Sequence, residues 1–127
     1  MAVSFERFEE ITAELTDRLP EELFRELSGG VMAREQTKLH PAGLNGDLYI
    51  LGEYHVHPHL GRFVVLYYGS FMACLGWMEE ESLRERMWKV LRHEFLHHLE
   101  SLAGEKDLAV EDAKKIAVYR RERQENT

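Results

Sequence analysis

Apolar residues recur at helical spacing near both ends of the chain and form short continuous runs in its middle. The first helix is predicted from apolar positions three or four residues apart, namely Phe5, Phe8, Ile11, Leu15 and Leu19. Ser4 precedes this helix and is a suitable N-cap. A second, short helix is predicted to begin at Pro20 and to stop at Ser28-Gly29-Gly30. The chain is therefore expected to begin with helices.

Two β-rich runs follow, 48–51 and 63–67, and both are predicted to be strands of one small sheet. Residues 31–47 are predicted to be irregular, because they contain Pro41 and the turn dipeptide Asn45-Gly46. Residues 52–61 begin and end with glycine and are predicted to be a loop. The middle of the chain thus supplies the sheet.

Helical patterns return after the strands. A short helix is predicted from Gly69-Ser70 to near Gly76, a long helix from about Glu79 to Ala103, and a last helix over about 108–121. Gly104 is predicted to end the long helix, because glycine readily takes the left-handed conformation that reverses a chain. The order of helices, strands and helices predicts an α+β fold in a single domain, 1–127.

Composition and charge narrow the class of protein. The chain has 127 residues with 16 Lys and Arg against 23 Asp and Glu, a formal charge of −7. This balance argues against nucleic-acid binding, which needs a basic face. The single cysteine, Cys74, excludes an intrachain disulfide. No signal peptide and no window of about 18 apolar residues is found, so we expect a cytoplasmic protein without a membrane partner.

The long helix carries the strongest chemical signal, an H-E-x-x-H motif at His93, Glu94 and His97. Four residues make about one helical turn, so both imidazoles project from one face and can share one Zn²⁺ at about 2.0–2.1 Å. Glu94 would lie beside the metal and act as the catalytic base for a water molecule whose pKa the metal lowers toward ~7. The alternative is a buried helix with two hydrogen-bonded histidines. His98 is interpreted as a packing residue or as a partner of a ligand.

A zinc peptidase uses three protein ligands, so one more is needed after His97. Ala103 lies about 9 Å beyond His97 along the helix. Three residues after a reversal at Gly104 could recover that distance at about 3.3–3.6 Å each. Asp107 is therefore the first candidate ligand, with an N-cap of the last helix as its alternative role. Glu100, one turn beyond His97, is the rival ligand or an acceptor for a ligand imidazole.

A second group of histidines is His55, His57 and His59. In an extended segment these side chains could share a face and chelate a metal. Pro58 would interrupt a sheet ladder, and the neighbouring glycines favour a loop. We therefore expect a plain surface loop first and a metal role second.

Taken with these residues, the chain resembles the small bacterial zincin-like metallopeptidase family. The resemblance spans nearly the whole chain and includes Leu19-Pro20-Glu21-Glu22-Leu23, Ile50-Leu51-Gly52-Glu53-Tyr54, Leu66-Tyr67-Tyr68-Gly69-Ser70-Phe71, the H-E-x-x-H motif with His98, and Gly104-Glu105-Lys106-Asp107. Many members have Gly-x-x-Asp almost directly after the doubled histidine, whereas here residues 99–103 intervene. The resemblance implies a minimal zincin-like fold, with a small sheet packed on the active-site helix, and a hydrolase activity.

The leading hypothesis is a zinc-dependent metallopeptidase that binds one Zn²⁺ per chain and acts on a peptide or protein substrate. The run 63–67 is predicted to be an edge strand for an extended peptide, with Tyr67 or Tyr68 as a donor to the oxyanion. One alternative is a non-catalytic zinc-binding or interaction module. The other is a metallo-endoribonuclease, which the glutamate after the first histidine and the negative charge disfavour.

Overall fold

The computed structural model of the chain describes residues 2–43, 46 and 48–106. The elements follow in the order α1 (Phe5–Asp17), β1 (Gly30–Arg34), β2 (Gly52–His57), β3 (Gly61–Tyr67), α2 (Tyr68–Leu75) and α3 (Glu80–Lys106). A short 3-10 helix, Glu21–Phe24, lies between α1 and β1. This arrangement confirms the predicted α+β class. The predicted last helix, 108–121, lies outside the described residues.

The helices α1 and α2 form where the pattern predicted them. The Ser4 hydroxyl caps α1 by accepting a hydrogen bond from the Arg7 amide at 3.1 Å. The second predicted helix is reduced to the single 3-10 turn and does not reach Ser28. Glu26 has a φ of 62°, which interrupts helical geometry before the glycines.

The sheet has the order β1-β3-β2, with β1 parallel and β2 antiparallel to β3. The prediction that 63–67 is an edge strand is therefore wrong, because β3 is the central strand. Every side chain from Phe63 to Tyr67 is buried, and burial on both faces is typical of a central strand. The strand beside α3 that has an open edge is β2.

Two other strand predictions need correction. The predicted strand 48–51 only leads into β2, which spans the segment Gly52–His57 that was predicted to be a loop. Residues 48 and 50 bond instead to the segment 38–40, through His40 N–H to Leu48 O at 2.8 Å and Ile50 N–H to Lys38 O at 2.9 Å. Strand β1 lies in the region predicted to be irregular.

The main core lies between one face of the sheet and the three helices. Its fully buried members come from all of these elements: Phe8, Ile11, Leu15, Val64, Leu66, Phe71, Leu83, Met87, Leu91 and Phe95. A smaller cluster on the opposite face of the sheet contains Phe63, Val65 and Tyr67, with Met32 and Ile50 packed against it. Helix α3 therefore lies against the sheet along its length.

Helix α3 is longer than predicted. It continues through Gly104 to Lys106, so the prediction that Gly104 ends the helix is wrong. Gly104 is not in the left-handed conformation that a reversal would need. Among the helices of the described chain, none has the length and apolar character that crossing a membrane requires.

Candidate functional site

The two histidines of the motif meet on the side of α3 next to the core-facing residues. The Nε2 atoms of His93 and His97 lie 3.0 Å apart, and their rings are nearly perpendicular at 83°. Two imidazole nitrogens that share a tetrahedral zinc at 2.0–2.1 Å lie about 3.3–3.4 Å apart. The contact is an imidazole–imidazole hydrogen bond, which agrees with the alternative of two hydrogen-bonded histidines, and the two nitrogens would have to separate by about 0.3–0.4 Å to share a zinc ion.

Glu100 contacts the opposite side of the His97 ring. Its Oε1 atom lies 3.9 Å from Nδ1 of His97. A carboxylate on the outer nitrogen favours the tautomer whose Nε2 lone pair is available for a metal. At 3.9 Å, Glu100 is within ion-pair range of His97 but makes no hydrogen bond to it, so accepting from the ring would require a small movement of the side chain.

Glu94 is buried between helix and sheet, with 7% of its surface exposed. It lines two adjoining cavities of about 470 and 450 Å³ that together form a groove between α3 and the chain leading into β2. His93 lines the first cavity and His97 the second. The residues common to both cavities are His40, Ile50, Gly52 and Glu94. The carboxylate of Glu94 is thus held at the centre of the groove.

Gly52 brings the start of β2 close to α3. A Cβ atom at this position would lie 2.8 Å from Cγ1 of Val90 and 3.0 Å from Cδ2 of Leu66. These contacts are shorter than a side chain tolerates, so the close approach of strand and helix requires glycine. The groove wall beside Glu94 is therefore backbone rather than side chain.

The same wall is the open edge of the sheet. The Tyr67 N–H donates a hydrogen bond to the Leu51 carbonyl at 2.9 Å, so the backbone carbonyl of residue 51 points toward β3. Orientation alternates along an antiparallel strand, so the backbone groups of Gly52 and Tyr54 point away from β3. Ile50, which bonds outward to Lys38, follows the same alternation. Among the described residues, no strand pairs with this edge, so Gly52 and Tyr54 offer backbone positions to an extended ligand.

His40 is a site residue that the sequence did not indicate. It is exposed, and it lines both cavities of the groove. Its Nδ1 accepts a hydrogen bond from the Ala42 amide at 3.0 Å. A neutral imidazole whose Nδ1 accepts must carry its proton on Nε2, so His40 can donate a hydrogen bond from its other nitrogen. No motif surrounds His40, and only its pairing with Leu48 brings it to the groove.

Glu53 lies on β2, lines the second cavity and is the centre of a hydrogen-bond cluster. Its Oε1 accepts hydrogen bonds from Tyr67 Oη at 2.6 Å, Lys38 Nζ at 2.5 Å and His55 Nε2 at 3.1 Å. Burial raises the pKa of this carboxyl, but the hydrogen bonds from Lys38 and Tyr67 together outweigh burial, so the net pKa lies below its ordinary value. Burial and the bond to Glu53 raise the pKa of Tyr67. Glu53 is therefore a carboxylate that orders the lysine, histidine and tyrosine around it.

The two tyrosines predicted as oxyanion donors are used elsewhere. Tyr67 donates to Glu53, and Tyr68 donates to the Val3 carbonyl at 2.6 Å. Neither lines the groove cavities. Because both hydroxyls are engaged away from the groove, the prediction that Tyr67 or Tyr68 donates to the oxyanion does not hold.

His98 is fully buried behind the site and belongs to a directed hydrogen-bond chain. Its Nε2 donates to the Arg25 carbonyl at 2.8 Å, and its Nδ1 accepts from Tyr54 Oη at 2.8 Å. Arg62 donates in turn to Tyr54 Oη at 2.9 Å. Burial lowers the pKa of His98, which keeps the ring neutral. His98 therefore joins α3 to β2 and is a packing residue.

The hairpin histidines make local contacts. His55 and His57 lie on β2 and not in the predicted loop. Nδ1 of His57 accepts hydrogen bonds from the amides of His59 and Leu60 at 3.0 and 3.1 Å. The His55 ring stacks on Phe63 with centroids 5.0 Å apart. The expected surface loop is therefore wrong for His55 and His57, which lie on a strand, and the metal role stays untested.

No third ligand accompanies the histidine pair among the described residues. Across residues 2–43, 46 and 48–106, no cluster of three His, Cys, Asp or Glu side chains is placed to hold a metal. Asp107 lies outside the described residues, and the reversal at Gly104 that would bring it back does not form. Zinc binding by the histidine pair and the identity of a third ligand therefore stay predictions.

The fold and site define a small α+β protein whose long helix presents two histidines and a buried glutamate to an open sheet edge. No family model matches the chain, and the curated proteins give no match. Among solved structures, the chain is similar to a conserved hypothetical protein from Thermo thermophilus. The two share 36% identity with a TM-score of 0.69, over 81% of this chain and 100% of the other. The chain belongs to the same family as that protein.

Proposed function

We propose that this protein is a zinc-dependent metallopeptidase of the zincin-like kind that acts in the cytoplasm on peptide or protein substrates. The observation that carries the proposal is the position of Glu94, which is buried at the centre of a groove with His93 and His97 beside it. The Nε2 atoms of the two histidines lie 3.0 Å apart, within about 0.4 Å of the separation that a shared ion requires. His93 and His97 would hold one zinc ion.

Three residues besides the two histidines have chemical roles in this proposal. When bound, zinc supplies Lewis acidity and makes water nucleophilic near neutral pH. The Glu94 carboxylate accepts the proton of the attacking water and passes it to the leaving amine. His40 donates a hydrogen bond from Nε2 to the developing oxyanion. Glu100 orients the His97 ring through Nδ1.

The open edge of β2 would position the substrate. An extended peptide that pairs with Gly52 and Tyr54 receives backbone hydrogen bonds that do not depend on its side chains. Its scissile carbonyl would then lie over the groove that Glu94 lines. This assigns to β2 the role that the sequence suggested for 63–67.

The test compares Glu94→Gln with Glu85→Gln, which removes an exposed carboxylate elsewhere on α3. The amide preserves shape but cannot accept a proton, so hydrolysis of a peptide library should fall by roughly 10²–10⁴-fold. Zinc content, measured by elemental analysis, should be unchanged in both variants. The proposal is wrong if zinc-loaded wild-type protein cleaves nothing in the library, or if Glu94→Gln cleaves at the wild-type rate.

A further inference from the structure

Two cationic side chains of α3 line the same cavity as His93 and Glu94. Arg86 is exposed and Lys89 is half-buried, and both contribute to the wall of the 470 Å³ cavity. Positions 86, 89 and 93 lie within about 60° of one another around a helix, because each residue turns by about 100°. The two cations and the first motif histidine therefore form one stripe along the groove.

These cations lack the acidic partners that several other cations of the described chain have. Arg7 pairs with Glu80, Arg84 with Glu14 and Lys38 with Glu53. Within the described part of the chain, no carboxylate lies within ion-pair distance of Arg86 or Lys89. Glu85 is nearby, in a separate cavity with Trp88 and Lys89, but it makes no such pair. In a chain with a charge of −7, a pair of unmatched cations at a cavity wall favours an anionic ligand.

The spacing fits a peptide. Lys89 precedes His93 by about 6 Å along the helix axis and Arg86 by about 10.5 Å. An extended peptide advances about 3.2–3.4 Å per residue. A carboxylate two or three residues from the scissile carbonyl would therefore reach these side chains while the backbone pairs with β2.

We infer that Arg86 and Lys89 form a carboxylate subsite, and that the substrates of this protein are peptides with a carboxylate two or three residues from the cleaved bond. This inference rests on the proposed function for the cleavage itself, but the subsite can be tested by binding alone. The carboxylate can come from an acidic side chain or from a free carboxyl terminus, and both present the same two oxygens to the cations.

The experiment uses peptides labelled with an uncharged fluorescent dye and the Glu94→Gln protein, which should hold a peptide without cleaving it. The parent peptide contains glutamine, has blocked ends and is uncharged along its length. One arm places a single glutamate at each successive position, and a second arm leaves the parent with a free carboxyl terminus. Fluorescence anisotropy at low and high salt gives the affinities.

At least one carboxylate peptide should bind about fivefold more tightly than the parent at low salt, and this preference should shrink at high salt. The arm that shows the preference identifies the source of the carboxylate. Adding Arg86→Gln and Lys89→Gln together should abolish the preference without changing affinity for the parent. Arg34→Gln is the matched control, because Arg34 lies on β1, at the other edge of the sheet.

The subsite is overturned if the double variant keeps the preference, if no peptide binds, or if a short RNA displaces the acidic peptide at lower concentration than the peptide itself. Failure of the two proposals can be told apart. Suppose that the preference for carboxylate peptides depends on Arg86 and Lys89, but the protein binds no zinc and hydrolyses no peptide. The subsite is then supported, and the proposed peptidase function is rejected. Zinc-dependent hydrolysis with equal binding of glutamate and glutamine peptides removes the subsite alone.

Discussion

The three histidines of α3 and the three of the β2–β3 hairpin are similarly close in the sequence, but their ring nitrogens have different contacts. In α3, the Nε2 atoms of His93 and His97 face each other at 3.0 Å. In the hairpin, Nδ1 of His57 accepts from two backbone amides of the turn, and Nε2 of His55 lies 3.1 Å from Glu53.

The difference shows that spacing decides whether the ring nitrogens of a histidine cluster face one another. A helical step of four residues points two rings at one spot and leaves their Nε2 atoms directed at it. A strand followed by a proline turn gives the rings local backbone and carboxylate partners. A cluster of histidines in a sequence therefore indicates a metal site only when the backbone directs the nitrogens to one point.

The largest effect on stability is expected for the buried His98, compared with His55 of the hairpin. His98→Ala leaves a buried space and removes a partner from both Tyr54 Oη and the Arg25 carbonyl, so the free energy of unfolding should fall by about 2–4 kcal/mol. His55→Ala should cost less than about 1 kcal/mol, because that side chain is partly exposed. Urea unfolding measures both. Equal losses would show that the buried hydrogen-bond chain does not matter.

His40 offers a sharper version of the comparison, because His57 has the same local geometry away from the groove. Both Nδ1 atoms accept from the amide two residues later, at 3.0 Å in each case. His40→Ala should lower kcat/KM by about 10–100-fold through loss of the oxyanion donor. Zinc content should stay unchanged.

His57→Ala is the matched control and should leave kcat/KM at the wild-type value. If His40→Ala releases zinc, His40 is a ligand and not a donor. If both variants lose activity alike, the effect comes from the turn geometry and the assignment of His40 is wrong.

Glu53 should give a smaller and pH-dependent effect. Because its pKa in the folded chain lies below the ordinary 4.5, the charged carboxylate stabilises the fold fully above about pH 4.5. This contribution is lost as the pH falls through the folded-state pKa. Glu53→Gln should therefore lower the free energy of unfolding by about 1 kcal/mol at pH 7, and the gap to wild type should narrow in acid. Denaturation at a series of pH values tests this, and a gap that widens in acid would contradict it.

Much of the fold could be read from local pattern. Helices α1 and α3 have apolar residues at helical steps, and β3 is a continuous apolar run between glycines. Strand β2 was not predicted as a strand, because Glu53, His55 and His57 give the segment a polar pattern. Gly52 and Tyr54, on the other face of the strand, nevertheless contact α3. Strand β1 was not predicted because it forms only by parallel pairing with β3, and a local sequence pattern does not reveal a contact between segments so distant in sequence.

The site was predicted in part for the same reason. His93, Glu94 and His97 lie within one helical turn, so their convergence follows from local geometry. His40 and the open edge of β2 reach the groove only through pairing between distant segments. The prediction for Gly104 failed because a glycine permits a reversal without requiring one.

The most direct test of the metal centre is a zinc titration at neutral pH on three proteins after removal of metal. Wild type and His55→Gln/His57→Gln/His59→Gln should each bind one zinc per chain, with affinity that falls below about pH 6 as the ligand imidazoles become protonated. His93→Gln/His97→Gln should bind none. Wild-type binding that survives in the α3 variant and disappears in the hairpin variant would contradict the assignment of the zinc site to His93 and His97.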